Sequence, residues 1–539
     1  MTIGDRHVIV VVGAGVSATA FLDALGRGLT DITPALGRRL AVTVVERTGD
    51  FGPGLPYGGQ AAPFHLVNQD SGLMSLRADD PDDFTRWLAG RPALPDGVAS
   101  RHTFGVYARE RFEAAVGRLR ELGVRVTLAN DEAIGARRAG GRLRIDLASG
   151  VHLDVDRLLV ATGHWQPETA EHCAALDGRL RAAGTGGLFL PWPADELAQA
   201  SRGHRTIGVL GTSLTAVDAC FTIAYARGRF LPGDDGGLRY RPHEPYSVVA
   251  CSRGGQLPGV QTPAPPPGGI VNPYLACRPL AELGETDGGW TAAAARRRFD
   301  AAIAWTGHRT DEPRDPHERL RAAIRASRAA EPAAGAHQRL CREFFATLFW
   351  MYRQMPVGER RAVWRTFLTP LLAQAAPVPL AAALRLDALF TAGVLSVRAG
   401  VSAVRTRSDR FELTFADGSP PLRVPLLVNA VSRNGGIGPR DGFAASAVAA
   451  GVLLADPVLG VAVEPDTCFA HHEHGIDRQV TVMGQLTLGS HIGASAVGSC
   501  VRRATAIVAG WLSDLADLES RCWPSGASAA RTAHEGVLT

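Results

Sequence analysis

The residues from Gly13 to Ala18 read GAGVSA, a GxGxxA pattern. They follow an unbroken run of β-branched residues, Val8 to Val12, which is typical of a strand buried on both faces of a parallel sheet, and they precede a helix-compatible stretch. In such a unit Gly13 permits the tight turn, Gly15 lets the backbone approach a pyrophosphate, and Ala18 allows the helix to pack closely on the strand. The pattern therefore predicts an α/β fold whose first unit binds nucleotide phosphates at a helix N-terminus.

A second strand supports this prediction. Ala41 to Val45 is apolar and is followed by Glu46, whose carboxylate is in position to bind the two hydroxyl groups of a ribose. Glu46 lies farther along the chain than is usual, and the long connection over residues 30–39 explains the spacing. We include Arg47, and Ser17 from the first turn, among the nucleotide contacts.

A second glycine-rich turn occurs later in the chain. Gly211 and Ser213 belong to the segment GVLGTSLTA, which again joins an apolar strand to an apolar helix and predicts a second nucleotide site. The next strand, Tyr246 to Cys251, is followed by Ser252 and Arg253. An arginine at this place can contact the 2′-phosphate of NADP, although a surface arginine in a loop remains the alternative.

Two more segments have the character of nucleotide-facing turns. Thr162 and Gly163 belong to an ATG turn after an apolar strand, and small residues there let the backbone pass close to a bound nucleotide. Leu427 to Ser432 stands where a similar turn is common, but it has no second glycine directly after it.

Composition excludes several classes of function. The formal net charge is only +4 and no block of like charges occurs, which argues against a nucleic-acid partner or a membrane-surface helix. All 57 basic residues are arginine, so neither a lysine Schiff base nor a P-loop lysine is available. The eight cysteines include no CxxC pair, which indicates a reducing cytoplasm and argues against a dithiol reductase. We therefore expect a soluble, cytoplasmic protein and leave assembly into a homo-oligomer open.

The order of these motifs resembles that of the flavoproteins with two dinucleotide-binding domains. More closely, Gly52 to Gly58, His65 to Gln69 and Met74 to Ser75 are similar to the FAD/NAD(P)-binding family that includes a flavin-dependent aspartate N-oxygenase. The arrangement is also similar to that of the ornithine and lysine N-hydroxylases. Near the end of the chain, Gly484 resembles the start of that family's last flavin-contacting turn.

The resemblance implies an FAD that NADPH reduces and that then activates O2, delivering one oxygen atom through a flavin hydroperoxide to a small-molecule substrate. The implied activity is N-hydroxylation of a small amino acid or amine, with aspartate as the specific substrate. Two alternatives stay open: an FAD-dependent NAD(P)H dehydrogenase or reductase that inserts no oxygen, and a non-enzymatic flavin-binding redox sensor.

The resemblance also gives roles to individual residues. It places Asn68 and Gln69 beside the isoalloxazine and the nicotinamide. Arg101 is the candidate partner for a substrate carboxylate, because a bidentate arginine suits that group; pairing with an acidic residue between Asp79 and Asp83, or a helix cap, is the alternative. The predicted cofactor contacts are Gly13, Gly15, Ser17, Ala18, Glu46, Arg47, Tyr57, His65, Asn68, Thr162, Gly163 and Gly484 for FAD, and Gly211, Ser213, Ser252 and Arg253 for NADPH.

Other conspicuous residues have less specific interpretations. The segment from His471 to His474 is more typical of a solvated loop than of a metal site, and we predict no metal. The aromatic residues from Phe344 to Tyr352 recur at helical spacing and are expected in a core and not around a substrate. His491 lies in a glycine-containing loop and either faces the flavin or substrate or serves the structure.

The length of 539 residues exceeds what one core organises, so several domains are expected. We predict a two-dinucleotide-binding-domain α/β flavoprotein, with doubly wound Rossmann-like FAD and NADPH domains and a helical insertion. The predicted parts are an FAD domain at 1–200, the first part of an NADPH domain at 201–277, a mainly helical insertion at 278–390, the rest of the FAD domain at 391–522 and a disordered tail at 523–539.

Overall fold

The computed structural model describes residues 6–32, 34–91, 94, 97–163, 171–233, 236–263, 272–277, 290–305, 313–431, 437 and 442–522. The strands are β1 (His7–Val12), β2 (Leu40–Val45), β3 (Arg125–Ala129), β4 (Ala133–Ala139), β5 (Arg142–Leu147), β6 (His152–Val155), β7 (Arg157–Val160), β8 (Gly187–Phe189), β9 (Thr206–Leu210), β10 (Gly228–Pro232), β11 (Leu238–Pro242), β12 (Ser247–Cys251), β13 (Leu395–Arg398), β14 (Val401–Thr406), β15 (Phe411–Phe415), β16 (Leu422–Val424), β17 (Leu426–Asn429), β18 (Phe469–His472) and β19 (Gly475–Val482).

The helices are interspersed among these strands in the first half of the chain, and six of them, α8 to α13, follow one another with no strand between them in the ranges given above. They are α1 (Val16–Ile32), α2 (Pro34–Gly37), α3 (Asp83–Ala89), α4 (Arg101–Glu121), α5 (Glu171–Ala182), α6 (Ala194–Ala200), α7 (Leu214–Arg227), α8 (Ala292–Trp305), α9 (Pro316–Arg328), α10 (Pro332–Tyr352), α11 (Val357–Ala362), α12 (Leu368–Ala375), α13 (Leu380–Thr391), α14 (Phe443–Ala449) and α15 (Val497–Cys522). A π-helical turn, Val363–Phe367, joins α11 to α12.

The first sheet has six strands in the order β18-β19-β7-β1-β2-β3, and all neighbours except β18 and β19 are parallel. Helices α1, α4 and α15 cover one face, where Phe21 meets Trp511 edge to face with ring centroids 5.1 Å apart. The antiparallel sheet β4-β5-β6 and α14 cover the other face. Because β19 and α15 come late in the sequence, the first sheet and its helices are assembled from both the early and the late parts of the chain.

The second sheet has five parallel strands in the order β13-β12-β9-β17-β8. The strands of this sheet correct the predicted domain boundaries. The sequence predicts β8 in the FAD domain and β13 and β17 in the C-terminal part of that domain, but all three pair within the second sheet. Strand pairing over long distances decides this assignment, and the order of motifs along the chain carries no information on it.

The segment between β12 and β13 is helical, as predicted, but it serves two regions. Helices α8, α10 and α12 share a core of their own, whereas α9 and α13 pack against the second sheet. The predicted α/β fold, with two mainly parallel sheets and a helical insertion, is therefore confirmed. The predicted tail after residue 522 lies outside the described residues. Within the described part of the chain, no helix is both long and apolar enough to cross a membrane.

Candidate active site

A cavity of about 1570 Å³ runs from the first glycine-rich turn, past the second, to the helical insertion. Most of the predicted site residues line it, although they come from segments that are far apart in sequence. These are Gly13, Gly15, Ser17, Glu46, Arg47, Tyr57, Asn68, Gln69, Arg101, Thr162, Gly163, Ser213 and Gly484. The predicted residues outside its lining are Ala18, His65, Gly211, Ser252 and Arg253.

The first turn is closed by contact between backbones. Gly13 has φ +91°, and a Cβ built on it would lie 2.5 Å from the carbonyl oxygen of Ala161 in the ATG turn. A Cβ on Gly15 would lie 3.3 Å from Cα of Gly54. Glycine is therefore required at Gly13 both for its left-handed φ and for the close approach of the ATG turn. This leaves a cradle of backbone N–H groups at the start of α1 that fits a pyrophosphate.

Glu46 follows β2 at the rim of this cradle. One carboxylate oxygen accepts a hydrogen bond from the backbone N–H of Ala14 at 3.1 Å, and the other accepts from the backbone and hydroxyl of Thr48. Arg47 lies 3.8 Å from the Glu132 carboxylate. These hydrogen bonds hold the Glu46 carboxylate in one orientation on the cavity wall.

Ala18 and His65 contribute to the site from behind the cavity wall. Ala18 is fully buried in the first core, where its small side chain lets α1 approach the sheet. His65 is also fully buried, and its ring contacts helix α7 of the second domain. Neither side chain lines the cavity, so His65 has a structural position and not a cofactor-facing one.

The second turn is built like the first. Gly211 has φ +124°, and an added Cβ would lie 2.8 Å from the carbonyl oxygen of Ala430, directly after β17. Ser213 follows and lines the cavity at the start of α7. Ala430 therefore occupies the place opposite Gly211 that Ala161 occupies opposite Gly13, although its segment lacks a glycine.

Hydroxyl groups close the far side of the second turn. The hydroxyls of Thr212 and Ser252 lie 2.9 Å apart, and Ser252 accepts a hydrogen bond from the N–H of Gly255. Arg253 is exposed, and its guanidinium bonds no other residue that the structure describes. No acidic residue stands at the end of β12, where Glu46 stands at the end of β2.

Asn68 and Gln69 line the cavity on a loop of the first domain that the second domain fixes. The side-chain amide of Gln261 donates to the backbone oxygen of Asn68 at 3.0 Å. Tyr57 lines the cavity on the same side, and burial raises the pKa of its hydroxyl above the ordinary value. The neutral tyrosine can therefore donate a hydrogen bond at the pH of the cell.

Arg101 is the first residue of α4, and Ser100 caps that helix by accepting a hydrogen bond from the N–H of Thr103. The Nε of Arg101 donates a hydrogen bond to Oδ2 of Asp218 in α7 at 2.9 Å, and both side chains are buried. The predicted alternative of a pair with an acidic residue between Asp79 and Asp83 is wrong. Arg101 borders the cavity, but its charge is already balanced by Asp218.

The helical insertion forms a wall that the sequence did not predict. Arg342, Phe345 and Phe349 lie on one face of α10 and line the cavity, and Phe349 packs on His491 with ring centroids 3.9 Å apart. Phe344 is fully buried, as expected of a core residue, whereas Phe345 and Phe349 pack on the same core and also line the cavity. His491 lines the cavity, and its Nδ1 is buried with no hydrogen-bond partner among the described residues.

Two arginines of the cavity lining have no charged partner among the described residues. Arg342 and Arg502 are both exposed, and no hydrogen bond or ion pair joins either guanidinium to another residue that the structure describes. Asp466, an acidic residue of the lining, is engaged by Arg353 directly after α10 through both carboxylate oxygens, at 2.8 and 2.7 Å. An anionic group is therefore the ligand that the Arg342 guanidinium favours.

The histidine segment proposed as a solvated loop is the hairpin between β18 and β19 at the edge of the first sheet. In β18, His471 and His472 pair with Ile476 and Gly475 of β19. Nδ1 of His472 accepts a hydrogen bond from the N–H of His474 at 3.2 Å. Over the described parts of the chain, no group of three His, Cys, Asp or Glu side chains is placed to hold a metal ion.

Comparison with known proteins agrees with this geometry. Residues 10–165 match the FAD-NAD(P)-binding family. The chain is 26% identical over 269 residues to the uncharacterized protein YdhS of Escherichia coli (strain K12), a match that covers 46% of this chain and 46% of that protein. The match thus spans about half the length of the curated relative.

Two solved structures share the fold over nearly the whole chain. The ornithine N-hydroxylase KtzI of Kutzneria sp. 744, with reduced FAD, NADP+ and L-ornithine, matches at 15% identity and a TM-score of 0.52, covering 95% of this chain and 100% of that one. The ornithine hydroxylase PvdA of Pseudomonas aeruginosa matches at 13% identity and a TM-score of 0.51, with the same coverage. The predicted FAD- and NAD(P)-binding domain is therefore confirmed, and the fold is that of these hydroxylases.

Proposed function

We propose that this protein is an NADPH- and O2-dependent flavin monooxygenase that N-hydroxylates a small amino acid, with aspartate as the specific substrate. The observation that carries the proposal is the single cavity, which joins two dinucleotide turns to a third wall of different chemistry. Two turns alone would serve a reductase equally well. The third wall provides a place for a substrate that is neither cofactor.

The first turn fits FAD. Gly13 and Gly15 form the pyrophosphate cradle, Glu46 lies where it can accept from the ribose hydroxyls, and Gly484 lines the cavity at the start of a 3₁₀ turn. When bound, the flavin supplies hydride acceptance from NADPH and the activation of O2. The chain then has to position the substrate and keep water away.

The second turn fits NADPH better than NADH. Ser252 and Arg253 follow β12 without an acidic residue that would repel a 2′-phosphate, and the Arg253 guanidinium is available. KtzI, which shares the fold, is seen with NADP+. The alternative role of Arg253 as an ordinary surface residue predicts no preference between the two nucleotides.

The wall formed by α10 supports an acidic substrate. Ornithine carries a second amine that an unpaired carboxylate would bind best, yet Asp466 is already paired with Arg353. Arg342 instead offers a free guanidinium to a carboxylate, three residues before Phe345 on the same face. The rings of Phe345 and Phe349 cover the site from the side and limit access of water.

The proposed reaction consumes one NADPH, one proton and one O2 for each oxygen atom transferred. One atom of O2 forms the N–O bond and replaces an N–H hydrogen with hydroxyl, and the other leaves as water. The amine nitrogen must be neutral to attack. A hydrogen-bond acceptor near it is needed to receive the proton, and His491, whose Nδ1 lacks a partner in the described structure, lies on that wall.

The decisive test is a substrate screen that begins with aspartate and follows NADPH oxidation together with product mass under isotopically labelled O2. Transfer of the label into an N-hydroxylated product supports the proposal. Rapid reduction of the flavin by NADPH with no labelled product from any amine tested would favour the dehydrogenase. If NADPH does not reduce the bound FAD, the non-enzymatic flavin-binding redox sensor is the alternative that remains.

Arg342→Ala tests the substrate wall separately. Loss of a charge-assisted hydrogen bond to a carboxylate should raise KM for aspartate by about tenfold or more, with KM for NADPH unchanged. Arg339→Ala is the matched control, because Arg339 lies one turn earlier on α10 and is not part of the cavity wall. If NADPH affinity falls instead, Arg342 binds a cofactor phosphate and the assignment of the carboxylate is wrong.

A further inference from the structure

The two nucleotide domains meet at a cluster of buried polar side chains. Arg101 opens α4 in the first domain, and Asp218 lies in α7, the helix that directly follows the second glycine-rich turn. Their side chains are 10% and 5% exposed, and they join at 2.9 Å. The bond therefore links the helix of the second nucleotide site to the wall of the shared cavity.

Arg101 also contacts the residues that face the first cofactor. Its guanidinium faces the ring of Tyr57, with Cζ 5.9 Å from the ring centroid, and Tyr57 lines the cavity. Asn68, which lies on the predicted flavin-side loop, borders a small void against Arg101 and Asp218. One guanidinium thus touches both sides of the junction.

His65 ties the same loop to α7. Its Nδ1 accepts from the N–H of Ala62 at 3.2 Å, so the proton of the neutral ring is on Nε2, which lies 2.9 Å from the Thr222 hydroxyl and 3.1 Å from the Asp218 carbonyl oxygen. The backbone oxygen of His65 accepts from the N–H of Arg101 at 2.6 Å. The junction is therefore a connected network and not one isolated pair.

We propose that Arg101 and Asp218 are positioning residues, which fix the second glycine-rich turn relative to Tyr57 and Asn68 and thereby set the approach of one cofactor to the other. Arg101 does not bind the substrate carboxylate. The proposal rests on the proposed function insofar as the two turns hold NADPH and FAD.

The chemistry of the Arg101–Asp218 pair favours a positioning role over a role that only stabilises the contact between the two domains. Burying two charges is costly, and apolar residues of the same size often stabilise a fold equally well or better. A bond from Nε to one carboxylate oxygen is directional, whereas burial of apolar surface, as in the stack of Phe64 on Tyr225 with ring centroids 4.2 Å apart, favours no single direction. Directional geometry matters most where hydride transfer depends on a short approach.

The first experiment uses Asp218→Asn in the full chain with FAD bound. The rate of flavin reduction at saturating NADPH should fall by about tenfold to a hundredfold, because a shift of about 1 Å at the reacting atoms costs that much. FAD content and the Kd for NADPH should stay close to those of the wild type. Asp514→Asn is the matched control, since Asp514 pairs with the buried Arg157 inside the first domain, 2.8 Å away, and lies outside the cavity wall.

A second pair of variants separates positioning from stability. In Arg101→Met/Asp218→Leu the thermal stability should return to that of the wild type or above it, while flavin reduction stays slow. If Asp218→Asn does not fold, Arg101→Lys replaces it, because it keeps the charge and loses the planar contact to Asp218 and Tyr57. A reduction rate that rises and falls with Tm across all variants would overturn the proposal.

Hydrogen exchange on the cofactor-free protein gives a readout that does not depend on activity. Asp218→Asn should raise exchange together in the loop around His65 and in the first turns of α7, whereas Asp514→Asn should raise it in neither. Wild-type protein that NADPH fails to reduce would refute the proposed function and leave the exchange result standing. Normal reduction in both the wild type and Asp218→Asn would refute only the positioning role.

Discussion

The two glycine-rich turns of this chain have the same backbone design and different chemistry at the rim. In each turn a glycine of positive φ packs against the carbonyl of an alanine that follows the neighbouring strand, Ala161 opposite Gly13 and Ala430 opposite Gly211. At the rim, however, Glu46 follows β2 in the first domain, whereas Ser252 follows β12 in the second.

This difference indicates that pyrophosphate binding depends on the turn, whereas the choice between nucleotides depends on the residues at the rim. With the proposed cofactors, the shared glycine and helix N-terminus would bind a pyrophosphate in either domain. The carboxylate of Glu46 would then select a free ribose diol and repel a 2′-phosphate, and the Ser252 hydroxyl followed by Arg253 would do the reverse. A single change should therefore remove one cofactor without the other.

Gly13→Ala is expected to have the largest effect. The new Cβ would lie 2.5 Å from the Ala161 oxygen at a φ that disfavours L residues, so FAD affinity should fall by about a hundredfold. The ratio of FAD to purified protein measures this loss. Gly393→Ala is the control, because Gly393 has φ +68° and open space around its Cβ. FAD content equal in both variants would contradict the close packing of the first turn.

Gly211→Ala should produce the complementary defect. Its Cβ would lie 2.8 Å from the Ala430 oxygen, a less severe clash, so we expect about a tenfold rise in the Kd for NADPH with full FAD content. Anaerobic titration of the bound flavin with NADPH provides the measurement. If this variant loses FAD as well, the two turns are not independent sites.

Arg253→Ala acts on the rim and not on the turn. Loss of a charge-assisted bond to the 2′-phosphate should raise KM for NADPH by about tenfold and leave KM for NADH nearly unchanged. Arg229→Ala, an exposed arginine of β10 in the same domain, should change neither constant. Equal effects of Arg253→Ala on KM for both nucleotides would mean that Arg253 does not contact the 2′-phosphate of NADPH.

The sequence predicted the features that depend on short segments. Gly13, Glu46 and Gly211 could be placed because strand, turn and helix follow each other within a few residues, and each residue type has one steric or chemical reason to be there. The two turns were assigned correctly to two sheets for the same reason.

The sequence did not predict the features that depend on contacts across the chain. The sequence does not identify Ala430 as part of a nucleotide-facing turn, because its segment lacks the usual glycine. The pairing of β17 with β9 is what brings Ala430 against Gly211. For Arg101 the sequence offers a substrate carboxylate or a nearby acidic residue as partner, and it gives no sign of Asp218, which is 117 residues away. Phe345 and Phe344 are adjacent residues of one helix, and only the packing of α10 decides which of them faces the cavity.

The smallest predicted effect concerns pH and reports how the two domains meet. Burial lowers the pKa of His65 below 6.5, and the charge of Arg101 lowers it further, whereas the Asp218 carboxylate and carbonyl raise it by less. The unfolded chain then binds the proton more readily than the native protein. The contribution of His65 to stability is therefore complete above about pH 6.5 and is lost as the pH falls from there toward the native pKa.

His65→Gln should remove this dependence, because the amide does not titrate. Between about pH 8 and about pH 5 the free energy of unfolding should fall less in the variant than in the wild type, as measured by urea unfolding. His7 and His204 also have lowered pKa values but are common to both proteins, so their contribution cancels in the difference. Since α7 of the second domain covers His65, parallel pH profiles would mean that the pKa of His65 is not lowered in the native protein and that α7 does not bury its ring.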